Sequence, residues 1–70
     1  MSAPRTRGSV TVFDAVRGDG VVTTELGEAL YFHCVTIADG SRVVPLGAQV
    51  SGIRAVGRLG EDEIEDLRQE

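Results

Sequence analysis

The stretch GSVTVFDAVRGDGVV, residues 8–22, decides the fold class of this chain. Valines and a phenylalanine dominate residues 9–15 and 21–24, and such side chains favour β-strands. Between the two runs, residues 17–20 read Arg-Gly-Asp-Gly, where glycines allow the backbone to turn sharply. The stretch therefore predicts a β-ribbon. Phe13 interrupts the alternation of apolar and polar residues, and we expect a bulge or a bend there.

The rest of the chain supplies further candidate strands. Residues 29–35 are nearly continuous in apolar and aromatic side chains, and residues 48–56 follow as another strand with Val50 as a core anchor. Residues 36–42 lie between them as a loop with room for one helical turn. Residues 61–68 are ambiguous, because Ile64 and Leu67 are spaced as on one helix face, whereas a regular strand places them on opposite faces. Since a five-stranded barrel needs a last strand to close, we predict a strand.

Length and charge narrow the class of protein. Seventy residues with nine glycines favour one small all-β barrel over a helical bundle. We expect a flexible tail over residues 1–7, a domain over residues 8–68 and an acidic C-terminal segment over residues 61–70. Six arginines accompany five acids in residues 1–60, whereas residues 61–70 hold six acids and one arginine. With no lysine in the chain, the basic footprint typical of nucleic-acid-binding proteins is weak.

The acidic segment has three interpretations, which the sequence leaves open. It can be a solvated edge strand or frayed end that keeps the domain soluble, a mimic of phosphate that folds over the arginines, or a docking face for a basic protein.

Composition also disfavours several classes of function. The single cysteine, Cys34, forms no internal disulfide, and no apolar run approaches the roughly 20 residues of a membrane span, so we expect a cytoplasmic protein. His33 and Cys34 are adjacent on a predicted strand and point to opposite faces, so they do not form a thiol–histidine pair. One histidine and one cysteine are too few for a structural zinc site. We therefore expect no enzyme activity, metal, cofactor or small-molecule substrate.

Three motifs in the chain share their order and spacing with a known family. Residues 8–22 are the opening stretch, residues 30–37 read LYFHCVTI and residues 39–50 read DGSRVVPLGAQV. They resemble the patterns V-K-W-F-N with G-F-G-F-I, V-F-V-H-F, and D-G-x-K-x-L-x-x-G-x-x-V of the bacterial cold-shock domain. That family is a five-stranded antiparallel OB-fold barrel that binds single-stranded RNA and DNA. The resemblance covers about residues 8–60 and implies the same all-β fold here.

The resemblance also implies where nucleic acid binds. Cold-shock domains stack bases on exposed rings, and each such contact is worth about 1–3 kcal/mol. Several ring positions of the family carry other residues here: Val12, Asp19, Val21, Cys34 and Ser41. The residues that survive, and that we expect to bind nucleic acid, are Phe13, Arg17, Tyr31, His33 and Arg42. The carboxylate of Asp19 stands in the middle of this surface and repels phosphate.

Two functions follow as hypotheses. The first is weak binding of single-stranded RNA or DNA, with RNA chaperoning or transcriptional regulation as the role implied by the family. The alternative is an OB-fold barrel that has exchanged nucleic-acid binding for protein–protein interaction, through the apolar Val12 and Val21 and the acidic segment. The matched motifs rank nucleic-acid binding first.

Overall fold

Five strands close into a barrel in the computed structural model, which describes residues 5–38, 40, 43–57 and 60–70. Around the barrel the strands follow the order β1-β2-β3-β5-β4. Their bounds are β1 Thr6–Asp14, β2 Asp19–Thr24, β3 Ala29–His33, β4 Gln49–Val56 and β5 Asp62–Gln69. A single 3₁₀ turn, Cys34–Thr36, follows β3, and no α-helix occurs in the described part of the chain. The predicted all-β, five-stranded barrel is confirmed.

One strand pair differs from the antiparallel arrangement expected for the whole barrel. β3 and β5 run parallel, with Tyr31 opposite Glu63, whereas the other four pairs are antiparallel. Strand directions cannot alternate all the way round a closed ring with an odd number of members. At least one neighbouring pair in a five-stranded barrel must therefore be parallel, and here it joins β3 to the last strand.

The core lies inside the barrel because each strand turns alternate side chains inward. Its buried apolar side chains within the described residues are Val10, Val22, Leu30, Phe32, Ile37, Val44, Val50, Ile64 and Leu67. The prediction of Val50 as a core anchor is confirmed. A Cβ added at Gly20 would overlap with the backbone oxygen of Val12 and come within 2.7 Å of Phe32 Cζ. The backbone of β1 and the Phe32 ring together therefore require glycine at this position.

A bulge in β1 sets the direction of the side chains that follow it. Val10 pairs with Val22, but the next pair joins Val12 to Val21, so β1 holds one extra residue, Thr11. The predicted bulge exists, two residues before the expected position at Phe13. As a consequence Thr11 and Val12 both face solvent, and Phe13 returns to the inner side.

A second bulge explains why the last segment looked helical in the sequence. Ser51 pairs with Arg68, and the next pair joins Ile53 to Glu65. Between these two pairs β4 spans two residues and β5 spans three. Asp66 takes up the extra length with a left-handed backbone, φ 50°. Ile64 and Leu67 therefore both point into the core, at 0% and 1% exposure, although they are three apart. The prediction of a strand over residues 61–68 is confirmed.

Arg5 holds this second bulge closed. Its guanidinium donates hydrogen bonds to the backbone oxygens of Asp66 and Ser51 at 2.6 and 3.0 Å. It also donates to Asp66 Oδ2 and Ser51 Oγ, both at 2.9 Å. β1 begins at Thr6, so Thr6 and Arg7 belong to the barrel and not to the tail expected over residues 1–7. Residues 1–4, the rest of the expected tail, lie outside the described residues.

In the described part of the chain, no helix is long and apolar enough to cross a membrane.

Candidate nucleic-acid interface

Tyr31 and His33 lie on the outer face of β3. Their neighbours Leu30 and Phe32 point into the core, so the alternation of the strand turns both side chains to solvent. The Tyr31 side chain is 45% exposed. Across the β2–β3 ladder, Tyr31 is paired with Val21 and His33 with Asp19. The two rings therefore share one face, as the spacing of the sequence predicts.

An open groove of about 680 Å³ runs along this face, a volume within the usual range of ligand pockets. It is bounded by the β1–β2 turn, the outer face of β3, the end of β4 and the start of β5. Its lining residues are Arg17, Asp19, Tyr31, Phe32, His33, Val56, Gly57, Glu61 and Glu63. Three of the predicted binding residues, Arg17, Tyr31 and His33, are thus brought together.

The β1–β2 turn fixes Arg17 at the rim of the groove. Asp14 Oδ1 accepts hydrogen bonds from the backbone N–H groups of Val16 and Arg17, at 3.0 and 3.1 Å. Gly18 closes the turn with a φ of 76°, which a residue with a side chain rarely adopts. The Gly18 carbonyl then accepts the N–H of Cys34 at 2.8 Å. This last bond ties the turn to the end of β3, next to His33.

The charge of Arg17 is already matched within the groove. Its Nη2 lies 3.0 Å from Asp19 Oδ2. The Asp19 side chain is only 17% exposed, whereas that of Arg17 is 67% exposed, so the carboxylate occupies the inner side of the pair. A phosphate that approaches Arg17 must therefore compete with Asp19.

Among the described residues that line the groove, carboxylates outnumber cations. Asp19, Glu61 and Glu63 line it, against Arg17 as the only arginine of the described lining. Glu61 and Glu63 form no ion pair with any described residue. The nearby Asp62 differs, since Arg54 Nη1 lies 3.3 Å from its Oδ2 while Nη2 of the same arginine binds Glu28. The hydrogen bond to Glu28 raises the pKa of Arg54, and the two carboxylates add to that effect.

Glu63 holds a defined place beside Tyr31. The two residues face each other across the parallel β3–β5 contact. The Glu63 carboxylate lies over Gly57, where even a Cβ would overlap with it. Because Gly57 has no side chain, the carboxylate can lie against its backbone, and Glu63 is half-buried there.

Phe13, also predicted to bind nucleic acid, lies away from this groove. Phe13 is on the inner side of β1, partly buried, with its ring parallel to that of Phe32 and the two centroids 6.1 Å apart. It does not line the groove with Tyr31 and His33. Arg42 lies outside the described residues. Val12 and Val21, which occupy ring positions of the cold-shock pattern, are paired on the outer face.

Sequence reasoning missed the part that β5 plays in this site. The acids of residues 61–70 were recognised as a segment, but their place beside Tyr31 depends on the β3–β5 contact, for which the sequence holds no signal.

Metal binding has no basis in the described residues, among which no group of three or more His, Cys, Asp or Glu side chains could hold an ion. No model of a known protein family matches the sequence, and no curated protein matches it.

Proposed function

We propose that this barrel binds single-stranded RNA or DNA through the groove over β3. The observation that carries the proposal is the exposure of Tyr31 and His33 side by side in an open groove that Arg17 also borders. Aromatic side chains on an exposed strand face form a platform on which successive bases stack, whatever their sequence. The resemblance of three motifs to cold-shock domains supports the same function. A cytoplasmic role in RNA chaperoning or transcriptional regulation belongs to the proposal.

Affinity is expected to be weak, and its salt dependence shallow. The outer face carries fewer aromatic rings than the cold-shock pattern, and Arg17 is paired with Asp19. With one or two phosphate contacts, the slope of log K against log salt is about −0.7 to −1.4. Binding therefore depends mostly on stacking and only weakly on charge.

Titration of a labelled single-stranded oligonucleotide at low and moderate salt tests the function. Tyr31→Ala should weaken binding by about 1–3 kcal/mol, because it removes one stacking surface. Ile53→Ala is the matched control, since Ile53 is 41% exposed on β4 and does not line the groove. Thermal unfolding of both variants checks that the barrel is intact. Equal affinities of the two variants would contradict this site.

A second candidate function is the binding of a basic protein segment. The observation that favours it is the pair of unmatched carboxylates, Glu61 and Glu63, beside the exposed Tyr31 ring. An arginine side chain can stack on a tyrosine ring while it pairs with a carboxylate. The same titration separates the two functions, because the absence of nucleic-acid binding at low salt would favour this second one.

A further inference from the structure

We propose that the groove prefers guanine, and that Glu63 reads the edge of a base stacked on Tyr31. The inference rests on the nucleic-acid binding proposed above and adds a sequence preference to it. Glu61 and Glu63 line the groove and repel phosphate.

The position of Glu63 is suited to the edge of a stacked base. Going round the barrel, β3 lies between β2 and β5, so Arg17 and Asp19 border Tyr31 and His33 on one side and Glu63 borders them on the other. A phosphate is repelled from the β5 side by Glu61 and Glu63, and its nearest cation in the described lining is Arg17. The sugar–phosphate backbone therefore runs on the β2 side, and a base on Tyr31 points its free edge towards β5.

Among the bases, guanine offers the edge that a carboxylate accepts best. An ionised carboxylate only accepts hydrogen bonds, through two oxygens. Guanine presents two adjacent donors on its Watson–Crick edge, N1–H and the 2-amino group, which match those oxygens in pairs. Adenine and cytosine present one amino group next to a ring nitrogen that accepts, and uracil presents one N–H between two carbonyl oxygens. In single strands this edge is free to be read.

The Glu63 carboxylate is available for such a contact. It forms no ion pair with any described residue, so a base does not have to displace a cation of the described part of the chain. Its position over Gly57 and its half-buried environment restrict the directions in which it can point. Hydrogen bonds to a charged group are stronger than hydrogen bonds between neutral groups.

The test compares uridine heptamers that differ only in the central base, titrated into the intact chain at low salt. The heptamer with central guanosine should bind about tenfold more tightly than the all-uridine heptamer, since one good two-point base contact gives discrimination of that order. Central inosine, which lacks the 2-amino group, should lose most of this advantage. The inosine comparison needs no protein variant and stays informative if a substitution unfolds the barrel.

Glu63→Gln should abolish the preference for guanosine, because an amide offers one acceptor and one donor. Glu65→Gln is the matched control: it removes the same charge from an exposed position on β5 that does not line the groove, and should keep the preference. Equal binding of the guanosine and uridine heptamers, or a preference that survives in Glu63→Gln, would overturn the inference and leave the proposed function standing. No binding of any heptamer would overturn both.

Discussion

Asp19 carries a charge that opposes nucleic-acid binding on the proposed surface. Its position is occupied by a ring in the cold-shock pattern, and here a carboxylate faces His33 and pairs with Arg17. It therefore acts in two ways, because it repels phosphate directly and also neutralises Arg17. A sequence comparison detects only the missing ring, since the ion pair becomes visible only when the β1–β2 turn is folded.

Two substitutions of Asp19 should separate these effects. Asp19→Asn should free Arg17, which raises affinity at low salt and steepens the salt slope by about 0.7, the value of one phosphate contact with a single strand. Asp19→Phe should tighten binding further, by about 1–3 kcal/mol, because it also adds a ring. Both are measured by oligonucleotide titration at several salt concentrations. Unchanged affinity in both variants would mean that the face of β2 and β3 is not the binding surface.

At the scale of the elements, the bulge in β5 explains how residues with helical spacing form a strand. Its extra residue, Asp66, is held by Arg5, and the hydrogen bond from Arg5 lowers the pKa of the Asp66 carboxyl, with Arg68 adding to the effect. A carboxyl whose pKa is lower in the folded state stabilises the fold at pH values above its unfolded pKa. That contribution disappears as the pH falls through the folded pKa.

Asp66→Asn should therefore destabilise the barrel by a constant amount at neutral and mildly acidic pH. The difference from the parent chain should shrink as the pH falls below the ordinary aspartate value of 3.8. Asparagine tolerates the left-handed backbone of this position, so the substitution tests the charge and not the turn. The free energy of unfolding, measured by denaturant titration between neutral pH and pH 2, checks the prediction. A difference that does not vary with pH would contradict it.

The two bulges also mark the limit of prediction from sequence. Runs of apolar and aromatic side chains were enough to predict β1 to β4, and residues two apart on a strand, such as Tyr31 and His33, share one face. The break in alternation signalled a bulge near Phe13 but not its position at Thr11, so Phe13 points inward although the motif suggested a binding ring. The bulge at Asp66 gives a strand the spacing of a helix. The position of each bulge depends on the partner strand, which local patterns do not encode.

At the scale of the whole molecule, closure of the barrel determines both the stability and the site. β5 lies between β3 and β4, so it completes the ring and carries Ile64 and Leu67 into the core. The same strand brings Glu63 beside Tyr31. The acidic segment is therefore a paired wall of the barrel, and neither an edge strand nor a frayed end.

A chain that ends at Gly60 should lose cooperative unfolding altogether. It lacks the two buried side chains of β5, each of which is worth about 2–5 kcal/mol in a large-to-alanine substitution. It also leaves β3 and β4 as open edges that can pair with other chains. A chain that ends at Gln69 is the control, since it removes only Glu70, the partner of Arg7 in a surface ion pair. Thermal unfolding followed by circular dichroism should show a sharp transition for the control and none for the shorter chain. A sharp transition in the chain that ends at Gly60 would mean that the first four strands fold without β5. The acids of β5 would then not be needed to form the barrel face that carries Tyr31.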